Sequence, residues 1–113
     1  MEKGGCVYIM TNNNNSVLYV GVTSDLYSRV VQHKQNYFPK SFTSIYQCYK
    51  LVYYKGFYSI EEAIAEEKRI KGGNRANKIK LVNSMNEEWK DLWEIEKNGN
   101  LGYFSVKIYL KGL

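Results

Sequence analysis

A chain of 113 residues, 44% hydrophobic and 24% charged, is enough for one compact domain with a single core and too short for two. It holds no apolar run long enough to span a membrane, and the opening "MEKGGCVYIM" lacks the apolar core of a secretory signal, so a folded cytoplasmic protein is the expectation. The formal net charge of +5 favours a polyanionic partner.

Along the chain, "CVYIM" and "SVLYVGV" are runs of β-branched and aromatic residues separated by "TNNNN". Asn tolerates tight turns and positive φ, so these read as a β-hairpin. Thr23 or Ser24 then caps a helix from about Asp25 to Gln35. A polar, aromatic loop with the only proline, Pro39, runs to about Tyr46, and "CYKLVYYKGF" alternates as a third strand. Ser59 and Glu62 fit an S-x-x-E capping box, and Gly72 and Gly73 stop the helix they open. "NRANKIKLVNSM" forms another helix, and "NEEWKDLWEIEKNG" a last one from Asn86 to near Gly99.

The order β-β-α-β-α-α-α describes a single α/β layer structure with helices against a small sheet. Residues 1–97 form the domain and 98–113 a C-terminal extension. In that extension "YFSVKIYL" alternates as an extra edge strand or as a contact surface for another chain.

The candidate chemistry starts with isolated groups. Cys6 and Cys48 lie too far apart for a zinc knuckle and read as small buried thiols. On the helix opened by Ser59, the stripe Ile60, Ala63, Ile64, Ile70 makes residue 67 the next inward position, and a carboxylate stands there. Burying an unpaired carboxylate is costly, so Glu67 pairs with a cation or coordinates a metal at the core edge, whereas Glu61, Glu62 and Glu66 fall on solvated faces.

Arg29 and His33 are an i, i+4 pair beside Leu26 and Val30, which places two polar groups at an inward edge. There Arg29 can neutralise charge developing on a phosphodiester, or cover the core with its stem. Tyr8 and Tyr19 lie at the centres of the hairpin strands, where cross-strand packing is their simplest role. The stretch "KRIKGGNRANKIK" holds six of the sixteen basic residues, namely Lys68, Arg69, Lys71, Arg75, Lys78 and Lys80. It is either a solvated helix face or a phosphate-binding patch.

Taken in order, these residues resemble the GIY-YIG endonuclease domain. The half-motifs appear as Cys6-Val7-Tyr8 and Tyr19-Val20-Gly21, followed by a helix with Arg29 and His33. Downstream, "EEAIAEEKRIKG" and "NEEWKDL" are similar to the small single-domain bacterial members, and the likeness covers about residues 5 to 93. Cys6 replaces the name-giving glycine, Val7 and Val20 replace isoleucines, and Gly73 stands where small members tend to carry an aromatic residue.

The resemblance implies an α+β fold, a small mainly antiparallel three-stranded sheet flanked by helices. It also implies metal-assisted hydrolysis of DNA phosphodiester bonds, on branched, nicked or single-stranded substrates. Glu67 matches the family's metal-binding glutamate, which would hold Mg²⁺ or Mn²⁺. Arg29 matches the arginine on the scissile phosphate, and Tyr8 and Tyr19 the two motif tyrosines. Gly21 matches a glycine that lets the backbone pass close to the site, and His33 a position able to share the proton transfer. Either Tyr8 or His33 is then the base. Lys68, Lys71, Arg75, Asn77 and Lys78 are the candidate nucleic-acid contacts, with Asn74 a second candidate for the phosphate-site asparagine. The competing expectations are a nucleic-acid-binding module without catalysis and a protein-interaction domain using residues 103 to 110.

Overall fold

Three strands form the sheet: β1 (Gly5–Thr11), β2 (Leu18–Thr23) and β3 (Lys50–Phe57). The order is β2-β1-β3 and both pairings are antiparallel. The computed structural model describes residues 4–96. Around the sheet lie the helices α1 (Leu26–Lys34), α2 (Phe42–Ile45), α3 (Ile60–Lys71), α4 (Arg75–Met85) and α5 (Leu92–Glu96). Among the described residues no helix is long and apolar enough to cross a membrane. The expected end of the last helix near Gly99, the boundary at residue 97 and the strand at 103 to 110 lie outside the described residues.

β1 is central because it carries no charge and is apolar on both sides; all seven of its residues are buried. Cys6, Tyr8 and Met10 point to one face, where they meet Leu26 and Val30 of α1, Leu51 and Trp93. Val7 and Ile9 point to the other, against Ala63 and Ile70 of α3 and Val82 of α4. The two layers of helices therefore sandwich one sheet. Gly5 allows α3 to lie close on β1, since a Cβ there would stand 2.7 Å from the Cβ of Ala63. Cys6 and Cys48 are buried free thiols, and burial pushes the Cys6 thiol up to about 12, which leaves it protonated and inert.

Local chemistry sets the element ends. Asp25 caps α1 by accepting from the Ser28 N–H, instead of Thr23 or Ser24. Thr23 is used one step earlier, its hydroxyl oxygen accepting from the Asp25 N–H at 3.1 Å. Ser59 caps α3 by accepting from the Glu62 N–H at 3.2 Å, the serine half of the expected box.

Within the expected polar loop, Ser41 caps the four-residue α2. Such a turn is too short for a hydrophobic period to reveal.

β3 departs from simple alternation. Its register against β1 shifts between Ile9 and Met10, so Met10 faces Leu51 while Ile9 faces Tyr53, and Val52 is the extra residue. This bulge explains why Leu51 and Tyr54 join one core while Val52 and Tyr53 join the other. Asn86, expected to begin the last helix, is instead the C-cap of α4 and is buried. Its amide donates to the carbonyl of Val52 at 3.2 Å and to that of Lys90 at 2.8 Å. A helix begun at Asn86 would surrender those bonds, and α5 starts only at Leu92.

Candidate functional site

The hairpin register places Tyr8 opposite Gly21 and Met10 opposite Tyr19, so Tyr8, Tyr19 and Gly21 share the face on which α1 packs. The space between Tyr8 and β2 exists because residue 21 is glycine. A Cβ there would stand 2.5 Å from the Tyr8 hydroxyl oxygen. The expected role of Gly21 as a close-approach residue has its geometry here.

His33, on the last turn of α1, is buried against the same face. Its Nε2 lies 3.0 Å from the Tyr8 hydroxyl, and its Nδ1 lies 2.9 Å from the Thr43 hydroxyl. The Thr43 hydroxyl in turn sits 3.2 Å from that of Ser41. Both ring nitrogens are thus engaged, and either neutral tautomer satisfies the pair of bonds by reversing their direction. Tyr19 completes the cluster, with ring centroids 6.2 Å from Tyr8 and 5.8 Å from His33.

Burial governs the protonation states. Desolvation lowers the His33 imidazole to about 4, with the Arg29 guanidinium adding to the depression. Desolvation also pushes the Tyr8 phenol far above its ordinary value, and the neighbouring Tyr19 reinforces the rise while Arg29 opposes it. At neutral pH both partners are neutral. Arg29 is the positive charge that acts on both of them, as its place one helical turn before His33 requires.

Glu67 lies on α3, in the helix layer on the other face of the sheet. Its carboxylate is 15% exposed and accepts from Lys71 Nζ at 3.1 Å. Lys71 lines a groove of about 290 Å³ at the β2 edge together with Lys78, Tyr19 and Phe42, and this groove joins the two layers. Two expectations on α3 need correction. Ile64, placed in the inward stripe, is 36% exposed. Glu66, placed on a solvated face, is as covered as Glu67 at 16% exposed, and it accepts two bonds from Arg69, at 2.6 and 2.8 Å. The helix packs over its Ala63–Ile70 line, which leaves residues 66 and 67 on the two flanks of the contact.

Among the described residues no three His, Cys, Asp or Glu side chains cluster to cage a metal. The largely covered Glu67 carboxylate fits a hard divalent cation, to which it could supply one oxygen ligand.

The basic patch is dispersed in its local roles. Lys68 is exposed. Arg75 donates to the carbonyl of Asn15 in the β1–β2 turn, and Lys78 to that of Gly73. Asn74 is the N-cap of α4, accepting from the Asn77 N–H at 2.9 Å. The exposed Asn77 instead lines a second cavity of about 370 Å³ with Arg69, Lys78 and Lys80. Thr43 and Phe42, both on α2, are site residues that the sequence did not signal.

The model of the GIY-YIG catalytic domain matches residues 4–80. UPF0213 proteins from two strains of Staphylococcus epidermidis are each 34% identical to this chain over 76 residues, covering 67% of it and 90% of their own length. The solution NMR structure of a UPF0213 protein from Bacillus halodurans superposes with a TM-score of 0.51 at 26% identity, over 82% of this chain and 97% of that one. That neighbour shares the three-stranded antiparallel sheet with flanking helices.

Proposed function

The chain belongs to the GIY-YIG catalytic-domain family, a nuclease family, and from that premise we propose that it is a metal-dependent endonuclease hydrolysing DNA phosphodiester bonds with selectivity for substrate shape. One observation carries the reading: the Tyr8 hydroxyl lies 3.0 Å from Nε2 of a neutral His33 whose far nitrogen is held by Thr43.

A buried phenol is a poor base alone, because burial keeps its proton on. Paired with a neutral imidazole it need not ionise first. As Tyr8 Oη takes a proton from the attacking water, its own proton passes to His33 Nε2; this needs the Nδ1–H tautomer, in which Nδ1 donates to the Thr43 hydroxyl and Nε2 accepts from Tyr8. The choice between Tyr8 and His33 as base then dissolves into one relay. Arg29 supports the phosphate's growing negative charge. Tyr19 positions the phosphate from the edge strand. A divalent cation held by Glu67 would stabilise charge on the phosphate and the leaving oxygen when bound.

One observation favours the non-catalytic reading, in which the chain binds nucleic acid without cutting it. The carboxylate that would hold the metal is paired with Lys71. Both readings are tested by cleavage of labelled linear, nicked, flapped, branched and single-stranded DNA, with Mg²⁺ or EDTA, for wild type and Glu67→Ala. The nuclease reading expects Mg²⁺-dependent cutting that disappears in the variant. Salt-sensitive binding without cutting, unchanged by Glu67→Ala, would replace it with the binding module.

A further inference from the structure

Of the eight large apolar side chains exposed among the described residues, five lie between residues 37 and 46: Tyr37, Phe38, Phe42, Ile45 and Tyr46. The concentration is not a by-product of poor packing, because α2 is anchored. Thr43, 2% exposed, faces inward and holds His33. Phe42, Ile45 and Tyr46 stand at i, i+3 and i+4 and so share one outward side of the same turn. The helix that fixes the imidazole therefore also presents an aromatic surface beside the reaction site.

That surface is continuous with the site. His33 touches Tyr19 edge-on, Tyr19 stacks on Phe42 with centroids 5.9 Å apart at 29°, and Phe42 meets Tyr46 at 4.6 Å. The series leads from a buried imidazole to a half-exposed phenol. The groove along it is lined by Tyr19 and Phe42 together with Lys71 and Lys78. Aromatic rings and two lysines lining one groove are complementary to a nucleotide, whose base stacks and whose phosphate is anionic. An apolar peptide would add no anion to a groove where Lys71 is paired with Glu67 and Lys78 is bonded to the Gly73 carbonyl, and a paired base would keep its faces inside the duplex.

We propose that Phe42 and Tyr46 form a stacking platform for an unpaired base next to the scissile phosphate, with Lys71 and Lys78 taking the adjoining phosphate in the groove. This rests on the nuclease reading and narrows it, making the preferred substrate DNA with an unpaired nucleotide at the cut. Phe42 and Tyr46 set specificity, and the relay of Tyr8 and His33 is separate from them.

The test is fluorescence anisotropy in EDTA, where cleavage does not intrude, with the full chain. The probes are a short labelled oligothymidylate, the same oligothymidylate with an abasic site, and a blunt duplex. Phe42→Ala should weaken oligothymidylate binding by about tenfold, the scale of one lost base stack, and leave duplex binding within about twofold. Phe42→Trp should restore it, and the abasic probe should bind wild type as weakly as the intact probe binds Phe42→Ala. Tyr46→Ala, at an exposed ring, repeats the test should Phe42→Ala fail to fold. Equal weakening on single strand and duplex, or no weakening on either, overturns the platform. So does self-association abolished by Phe42→Ala with oligonucleotide binding unchanged. Failure of the nuclease reading is seen separately, as absent Mg²⁺-dependent cutting with Phe42-dependent single-strand binding intact.

Discussion

At Gly21 the side chain is a hydrogen because Tyr8 occupies the space a Cβ would need. Gly21→Ala should therefore displace the phenol from His33, destabilise the fold by about 1–3 kcal/mol as overpacking does, and reduce cleavage together with stability. Denaturant unfolding and the cleavage assay check the two effects. His33 gives a second consequence. Its folded value is about 4 against an ordinary 6.5, so between those values the unfolded chain binds more protons than the folded one. The stability from keeping this ring neutral is complete above about 6.5 and is lost as pH falls towards 4. Unfolding midpoints measured across that window should fall with pH, and more steeply than in His33→Gln. Strand and helix positions fixed which face Tyr8, Tyr19, Arg29 and His33 would take, whereas Gly21 and a role for the two tyrosines beyond packing came only from the resemblance. Thr43 was not legible in the sequence. A threonine inside a four-residue turn has no periodic neighbours, and its partnership with His33 exists only once the loop has closed.

At the scale of elements, the three strands, α1, α3 and α4 followed from apolar patterning and caps, while the join between β3 and α5 did not. The reason is the bulge at Val52, whose carbonyl needs a donor from elsewhere, and Asn86 supplies it 34 residues later. No local propensity encodes a bond between those two positions. "NEEWKDL" reads as a helix start because Asn is a good N-cap, yet in the folded chain its side chain serves the sheet and the Lys90 backbone. Asn86→Ala should leave the buried Val52 carbonyl without this donor and cost about 1–3 kcal/mol in thermal or denaturant unfolding. A cost within noise would mean that the bulge does not depend on this side chain. The same limit applies to α3, where periodicity located the helix but not its rotation closely enough to separate Glu66 from Glu67.

For the molecule as a whole, the net charge of +5 has one consequence and its distribution another. The charge makes nucleic-acid binding weaken as salt rises, through the counterions released from neutralised phosphates. The distribution puts Lys71 where two demands meet: it lines the groove beside Tyr19 and Lys78, and it pairs with the carboxylate proposed to hold the metal. Lys71→Gln separates these demands, since the neutral side chain neither attracts phosphate nor competes for Glu67. DNA binding by the variant should weaken, with a salt slope shallower by about one unit. Cleavage by the variant should reach half its maximum at a lower Mg²⁺ concentration than wild type, because Glu67 no longer has to give up an ammonium partner to take the cation. The two effects have opposite signs, so a general loss of folding cannot imitate them. An Mg²⁺ requirement that rose along with the loss of DNA affinity would show that Lys71 helps to assemble the metal site, and that its bond to Glu67 orients the carboxylate.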